Sequence, residues 1–579
     1  MCGIAGIIAP PTPDLAPRLQ AMAGSLRHRG PDGVGFWSSG QCHLAHTRLA
    51  IVDIEGGAQP LRSADDSLAT VFNGELYGYS ELRERLDYPF RTRSDTEVLL
   101  AMYEAYGTDM LAHLPGMFAF AIWDERRKRL FCARDRFGEK PFYYATDRDG
   151  RFLFASEVKA VLAAGLLDVS LDAQSLCQYL VYSYLPEGRS MYREIAALPP
   201  GCAMTVGPEG VKAWRYWDLP APAGEIGGAE AAEELAHLLD SSVQRCLVAD
   251  VEVGVLLSGG LDSTTLAVLA ARHRRDIRTF SFGFEGWRNE LPYAREVSAA
   301  LGSNHVELLE SDMDLPAMIE SLSGHYDEPF GDLSAIPTLS LCSLVRRHLK
   351  VALGGDGADE LMGGYVYWYL PLVEAERAGG AAPGWSAVAE RHWRDQQIYF
   401  GPEELAGFGL PLVPRPTSPD YIGSLDDAMR LDLRGFLAGD ILKKVDRASM
   451  AHGLELRLPF LDWPLAEFLV ALPWRLKLDD TKGKLVLRNA FERLWPESVR
   501  TRGKQGFSAN VDVWLQREDV LPLRRSFLAD KNLAVRGLFP DELVDACAND
   551  VGYRGWVMLV LSMWLQQVTG DGILHPRKM

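Results

Sequence analysis

Several absences narrow the sequence before any motif is considered. Its eight cysteines (Cys2, Cys42, Cys132, Cys177, Cys202, Cys246, Cys342 and Cys547) include no CxxC pair and no Cys/His metal spacing, which argues against structural zinc and against a disulfide framework. Positive charge is in deficit. The 60 Lys and Arg residues stand against 78 Asp and Glu, for a net charge of -18. That balance opposes nonspecific attraction to nucleic acid or to an anionic membrane surface, because phosphate contacts need clustered Lys and Arg. Any polyanion bound here is expected to be small and locally caged. No stretch reaches the roughly 18 apolar residues of a membrane span, and the opening MCGIAGIIAPP lacks a basic leader. A protein kept in a reducing cytoplasm, with no nucleic-acid or membrane partner, is the expectation.

The chain itself has 579 residues, more than the roughly 250 to 300 at which one hydrophobic core stops growing, so at least two domains are expected. From residue 1 to about 215, short β-rich runs such as LAIVD (49–53), LATVFNG (68–74), FAFAIWD (118–124) and RLFCARD (129–135) alternate with turns and a few helices. This pattern predicts an α+β sheet sandwich. DLPAPAGEIGG, between Trp217 and the following helix, has the Pro, Gly and Ala content of a linker. The expected division is 1–215, a linker at 216–228, and 229–579. The second part begins with an amphipathic helix (230–248), then the strand VEVGVLLS, a glycine turn, the helix LDSTTLAVLAARH and the strand RTFSFGF. That order is a βαβ unit, which predicts an α/β domain with a parallel sheet. The region after about residue 370 reads as a helical elaboration.

Cys2 follows Met1. Removal of the methionine would leave a thiol and an α-amine on one residue, and an amine titrating near 8 can take the thiol proton. CGIAG (2–6) is followed in order by RHRGPDGVG (27–35), HTRLAIVD (46–53), FNGELY (72–77) and SDTE (94–97). Together these segments resemble the glutaminase domain of class II amidotransferases, the N-terminal nucleophile hydrolases, whose fold is an αββα sandwich. The resemblance implies that Cys2 attacks the side-chain amide of glutamine, while the Asn73 side chain and the Gly74 backbone N–H form the oxyanion hole. It further implies that Arg48 grips the α-carboxylate, that Asp95 holds the α-ammonium, and that Glu75 supports that end of the site. Each segment also has a plainer reading. Ser94 and Glu97 fit a capping box, Asn73-Gly74 is a hairpin turn signal, and Arg48 could pair with Asp53.

In the second half, LLSGGLDST (256–264) sits where a strand ends and a helix begins, an arrangement suited to anions. It is not a Walker loop. SGGLDS resembles the pyrophosphate loop of enzymes that cleave ATP to AMP and pyrophosphate. By that resemblance Ser258, Gly259, Gly260, Asp262 and Ser263 would cradle pyrophosphate, and Asp262 would help hold Mg2+. ALGGDGADELMGGY (352–365) resembles the second signature of the synthetase family, which makes Asp356 and Asp359 candidates for Mg2+ and pyrophosphate, although many members carry Glu where Asp356 stands. LKKVDRASMAHGLELRLPFLD (442–462) and RGKQGFS (502–508) resemble later family segments. Lys504 would stabilise charge at the α-phosphate, Glu455 and Arg457 read as a buried ion pair, and Asp446 and Arg447 read as supports.

Over nearly its whole length the chain thus resembles the glutamine-hydrolysing asparagine synthetases. The implied reactants are L-glutamine, ATP with Mg2+, and a carboxylate acceptor, most commonly L-aspartate, with ammonia passing between the sites. YDEPFGDLSAIPT (326–338) is expected near the acceptor. Two alternatives stand beside this reading. One is the same chemistry on another carboxylate in natural-product biosynthesis, and the other is a glutamine amide hydrolase with a regulatory nucleotide domain. A homodimer is left open.

Overall fold

A computed structural model describes the chain apart from residues 223, 285, 287–288, 378–398, 412–423, 530–534, 536 and 575–579. In the N-terminal half, strand periodicity sets the layers. Along Met117–Asp124, Phe118, Phe120 and Ile122 pack outward against Val98, Leu99 and Met102 of the helix Asp95–Tyr106. Ala119, Ala121 and Trp123 point the other way, into a second cluster with Ile4, Leu44 and Phe154. Successive side chains leave opposite faces of a strand, so one strand serves two apolar layers. The sheet holding this strand runs Gly210–Arg215, Cys202–Gly207, Arg129–Arg134, Met117–Asp124, Leu68–Glu75, Leu61–Arg62. Facing it is a second six-stranded sheet in which Gly3–Ile8 lies between Phe152–Ala155 and Cys42–Arg48. Ala5 and Ile7 on its far side meet Leu19 and Met22 of the helix Leu15–Ser25. The result is the expected αββα sandwich.

One predicted strand is not formed. LAIVD (49–53) is irregular, because the strand before it ends at Arg48 and the following backbone is captured by side chains. Asp32 accepts from Ala50 N at 2.8 Å, Asp250 accepts from Asp53 N at 2.7 Å, and Asp53 adopts a left-handed φ of 46°.

The C-terminal half is built on a five-stranded, wholly parallel sheet in the order Asn304–Leu309, Arg278–Gly283, Val253–Leu256, Val351–Leu353, Glu455–Arg457. The chain winds outward from Val253–Leu256 in one direction and then returns to wind in the other. That reversal puts a crevice at the carboxyl ends of Val253–Leu256 and Val351–Leu353, where ligands bind in such sheets. The amphipathic helix occupies Gly228–Cys246, two residues earlier than expected, and buries Leu235, Leu239 and Val243. The segment before it is tethered, since Trp217 Nε1 donates to Glu467 at 2.6 Å. Beyond residue 370 the described residues are mainly helical, with parts of the region outside the description. The exception is Glu455–Arg457, a fully buried strand that completes the sheet. Among the described residues no helix is long and apolar enough to cross a membrane.

Two candidate active sites and the contact between them

Cys2 lies at the head of the strand Gly3–Ile8 and is buried. Its backbone N–H donates to Asn73 Oδ1 at 2.9 Å, and its carbonyl accepts from Arg29 Nε at 3.1 Å. The first bond fixes the Asn73 amide, because only its oxygen can accept. Asn73 Nδ2 is left buried with no hydrogen-bond partner. A buried unpaired donor costs about 1–3 kcal/mol, which leaves Asn73 Nδ2 open to an acceptor that the protein itself does not supply. Gly74 follows in the same strand, and a Cβ there would fall 2.2 Å from the Met117 carbonyl oxygen, which excludes any larger residue. Asn73-Gly74 is therefore mid-strand and not a hairpin turn.

Arg48 donates to the carbonyls of Ile54 and Asp53, each at 2.7 Å. It does not pair with the Asp53 carboxylate, which instead accepts from Gly56 N and Arg93 N. Ser94 does cap the helix Asp95–Tyr106. The reciprocal half of a capping box is missing, since Glu97 turns to the backbone N–H groups of Arg91 and Thr92. Asp95 Oδ2 accepts from Leu76 N at 3.1 Å, and burial, partly offset by that bond, raises its carboxyl to about 6. Burial also pushes the Cys2 thiol up, with the chain-terminal ammonium acting against it.

The second site is a chamber of about 990 Å³ at the crevice of the parallel sheet, lined by both glycine-rich segments and by the loop carrying Lys504. Gly259 has φ +71°, and a Cβ there would approach the Ala294 amide nitrogen to 2.7 Å. Ser258 Oγ sits 3.0 Å from Ser263 Oγ, and Gly260 N donates to Ser258 Oγ at 3.2 Å. The helix Leu261–His273 starts within this loop, so its N-terminal N–H groups face the chamber end.

Asp262 and Asp359 are brought together by a residue that sequence reading did not single out. Lys484 Nζ lies 2.5 Å from Asp262 Oδ2 and 2.7 Å from Asp359 Oδ1, and Lys504 Nζ lies 2.7 Å from Asp359 Oδ2. Burial alone would raise the Asp359 carboxyl, but these two lysines hold it well below the usual carboxylate range. Asp356 stands apart from the Lys484 bridge. Burial raises its carboxyl, and Lys444 is the foremost charge opposing that. Among the described residues no three acidic, His or Cys side chains converge as a complete metal cage. Asp262 Oδ1 is buried without a hydrogen-bond partner. A hard cation that takes one or two carboxylates plus phosphate oxygens fits this arrangement.

The two halves meet through buried charge. Arg29, fully inaccessible, holds Asp446 through two bonds of 2.8 Å while also touching Glu157 and the Cys2 carbonyl. Arg447 reaches Glu157 at 2.9 Å. Arg457 joins Glu455 at 2.7 Å as expected, and it also reaches Glu75 of the N-terminal half at 3.1 Å. Glu455 also receives the Met1 ammonium. RHRGPDGVG was the available signal for Arg29, whereas nothing in TKGKLVL distinguished Lys484.

The match to family models follows the same division. Residues 1–217 match the glutamine amidotransferase domain, and residues 234–566 match asparagine synthase. Asparagine synthetase [glutamine-hydrolyzing] 1 of Bacillus subtilis (strain 168) is 31% identical over 97% of this chain and 96% of its own length. A putative asparagine synthetase [glutamine-hydrolyzing] of Mycobacterium bovis is 33% identical over 97% of each chain. With both family models matched in order and relatives aligned almost end to end, the chain belongs to the glutamine-hydrolysing asparagine synthetase family.

Proposed function

We propose that this ATP-dependent amidotransferase moves the side-chain nitrogen of L-glutamine onto the β-carboxylate of L-aspartate, giving L-asparagine, L-glutamate, AMP and pyrophosphate. The assignment of aspartate follows the names of the relatives. The site roles follow the family resemblance of the segments, and the geometry described above supports them. In residues 1–215, once Met1 is removed, the Cys2 thiolate attacks the glutamine amide carbon. Asn73 Nδ2 and the Gly74 N–H stabilise the oxyanion, ammonia leaves, and water hydrolyses the thioester to glutamate. Arg48 would turn from its loop carbonyls to the substrate α-carboxylate. Asp95 would take the α-ammonium, next to Glu75 as held by Arg457.

In residues 229–579 the acceptor carboxylate attacks the α-phosphorus of ATP, and pyrophosphate departs into the loop formed by Ser258, Gly259, Gly260, Asp262 and Ser263. Lys504 would stabilise the charge at phosphorus, and ammonia then displaces AMP from the acyl-adenylate. Mg2+, when bound, would be held by Asp262 and Asp359, with Asp356 nearby, and would neutralise phosphate charge. Ammonia is mostly protonated at neutral pH, so an enclosed passage between the halves keeps it nucleophilic.

The observation that best supports a single coupled reaction is the strand Glu455–Arg457, which belongs to the synthetase sheet and ion-pairs with Glu75 beside the glutaminase oxyanion strand. The test is pyrophosphate release with ATP, Mg2+ and glutamine, with and without aspartate, together with identification of the amide. Aspartate-dependent pyrophosphate matched by asparagine is expected. Glutamate formation without aspartate-dependent pyrophosphate would reject aspartate as the acceptor.

A further inference from the structure

The synthetase chamber has a second group of charges away from the Lys484 bridge. Asp332, Glu360, Asp440 and Lys444 line it together with Phe436. Phe436 and Asp440 lie on a π-helical stretch, Leu433–Ile441, that runs directly into the helix Leu442–Met450 carrying Lys444. Such stretches are rare and recur at functional sites, because widening the turn re-aims side chains at the expense of regular hydrogen bonding.

Most polar groups here are already engaged. Lys444 Nζ donates to Ser334 Oγ at 2.8 Å, and Ser334 N donates to Asp332 Oδ1 at 2.5 Å. Glu360 accepts from Tyr365 Oη at 2.6 Å. Asp440 faces Asp332 and Lys444, but one of its oxygens stays open. It is only 4% exposed, yet its Oδ1 has no hydrogen-bond partner. Aromatic rings stand around it: a Cβ on the adjacent Gly439 would lie 2.9 Å from the Tyr184 ring. Phe436 has its ring centroid 6.4 Å from Tyr184 and 5.5 Å from Trp368. A buried carboxylate with an open acceptor costs free energy unless a cation completes it, and aromatic faces favour the same partner.

We propose that Asp440, flanked by Tyr184 and Phe436, binds the ammonium group of the acceptor, so that the chamber selects amino acids over carboxylic acids that lack the amine. Asp440 is then a specificity-determining residue. The inference rests on reading this chamber as the amidation site. It adds a requirement on the acceptor that the phosphate-binding motifs do not impose.

The experiment compares L-aspartate with succinate, and L-glutamate with glutarate, as acceptors for ATP-dependent pyrophosphate release by the full chain. The wild type is expected to favour the amino acid of the effective pair by about 10- to 100-fold in kcat/KM, the range of a charge-assisted hydrogen bond. Asp440→Asn, of nearly equal volume, is expected to remove most of that preference through the acceptor KM, with the KM for ATP held within about threefold. Asp440→Glu should restore part of it. Because Asp440 stands against Asp332 as well as Lys444, Asp440→Asn removes a repulsion together with an attraction and is expected to melt close to the wild type, which separates lost recognition from lost folding. Equal use of the amino and deamino members of a pair, or an unchanged preference in a folded Asp440→Asn, overturns the inference while leaving the amidation reading intact. Pyrophosphate release with none of the four overturns that reading and the inference with it.

Discussion

The two sites are prepared for their chemistry in different ways. The glutaminase site is assembled on sheet strands, and its key donor, Asn73 Nδ2, is held in place by a backbone bond from Cys2 itself. The synthetase site is assembled on loops and helix starts beyond the strand ends, where Lys484 bridges Asp262 and Asp359 and Lys504 pairs with Asp359. The first holds the backbone of Cys2 and the Asn73 amide fixed on strands, and the adjustment it asks for is at Arg48, which is engaged with two loop carbonyls. The second holds provisional counter-charges that a polyphosphate and its cation can exchange for their own.

Selective damage can break that contrast. The largest effect is expected from Cys2→Ala, which should lower glutamine-dependent amide formation by about 10³-fold or more while ammonium salts still drive the synthetase half. Loss of the ammonia-driven rate as well would mean that Cys2 serves both sites. Arg29→Ala strips a fully buried cation from Asp446 and Glu157, and breaking such a network typically costs about 3–5 kcal/mol. Thermal or urea unfolding should show that loss, and a variant as stable as wild type would leave the two halves independent.

Next in size are Asn73→Ala and Lys504→Ala, each expected to cost about 10²–10³ in kcat. They should act in opposite halves, Asn73→Ala on glutamate formation and Lys504→Ala on pyrophosphate release. A variant that slowed both reactions equally would erase the division of labour.

The smallest effect is on pH. Burial raises Asp95 to about 6, above its ordinary 3.8. Between those values the folded chain binds the extra proton, so this residue contributes stability at low pH that is lost as pH rises through about 6. Glutamine binding runs the other way, since only the carboxylate can hold an ammonium. The kcat/KM for glutamine should therefore fall by up to about tenfold per pH unit below pH 6. A flat profile from pH 5 to 7 would remove Asp95 from that role.

Much of this was legible in the sequence because the decisive positions depend on local chemistry. The helix LDSTTLAVLAARH and the strand FAFAIWD announce themselves by period, and SGGLDS and FNGELY are contiguous. What escaped depends on distant neighbours. LAIVD has the composition of a strand, but Arg48, Asp32 and Asp250 capture its backbone. Glu455–Arg457 is only three residues long inside a helical region, and its pairing with Val351–Leu353 becomes visible once the sheet is assembled. Lys484 occupies a left-handed backbone position, φ 58°, and its ammonium lies between two carboxylates from the first turns of separate helices.

The contact between Arg29 and Asp446 joins residues 417 positions apart across the middle of the site-bearing halves. The Pro- and Gly-rich connection is therefore not the seam between the halves: Trp217 ties it to Glu467, and the charges that dock one half on the other lie far from it in sequence. Arg29 with Asp446 and Glu75 with Arg457 form two buried pairs, each with one member in either half. A point that tolerates a cut in the covalent chain is not by that fact a point for exchanging its parts, and swapped halves should dock only where each supplies its members of both pairs.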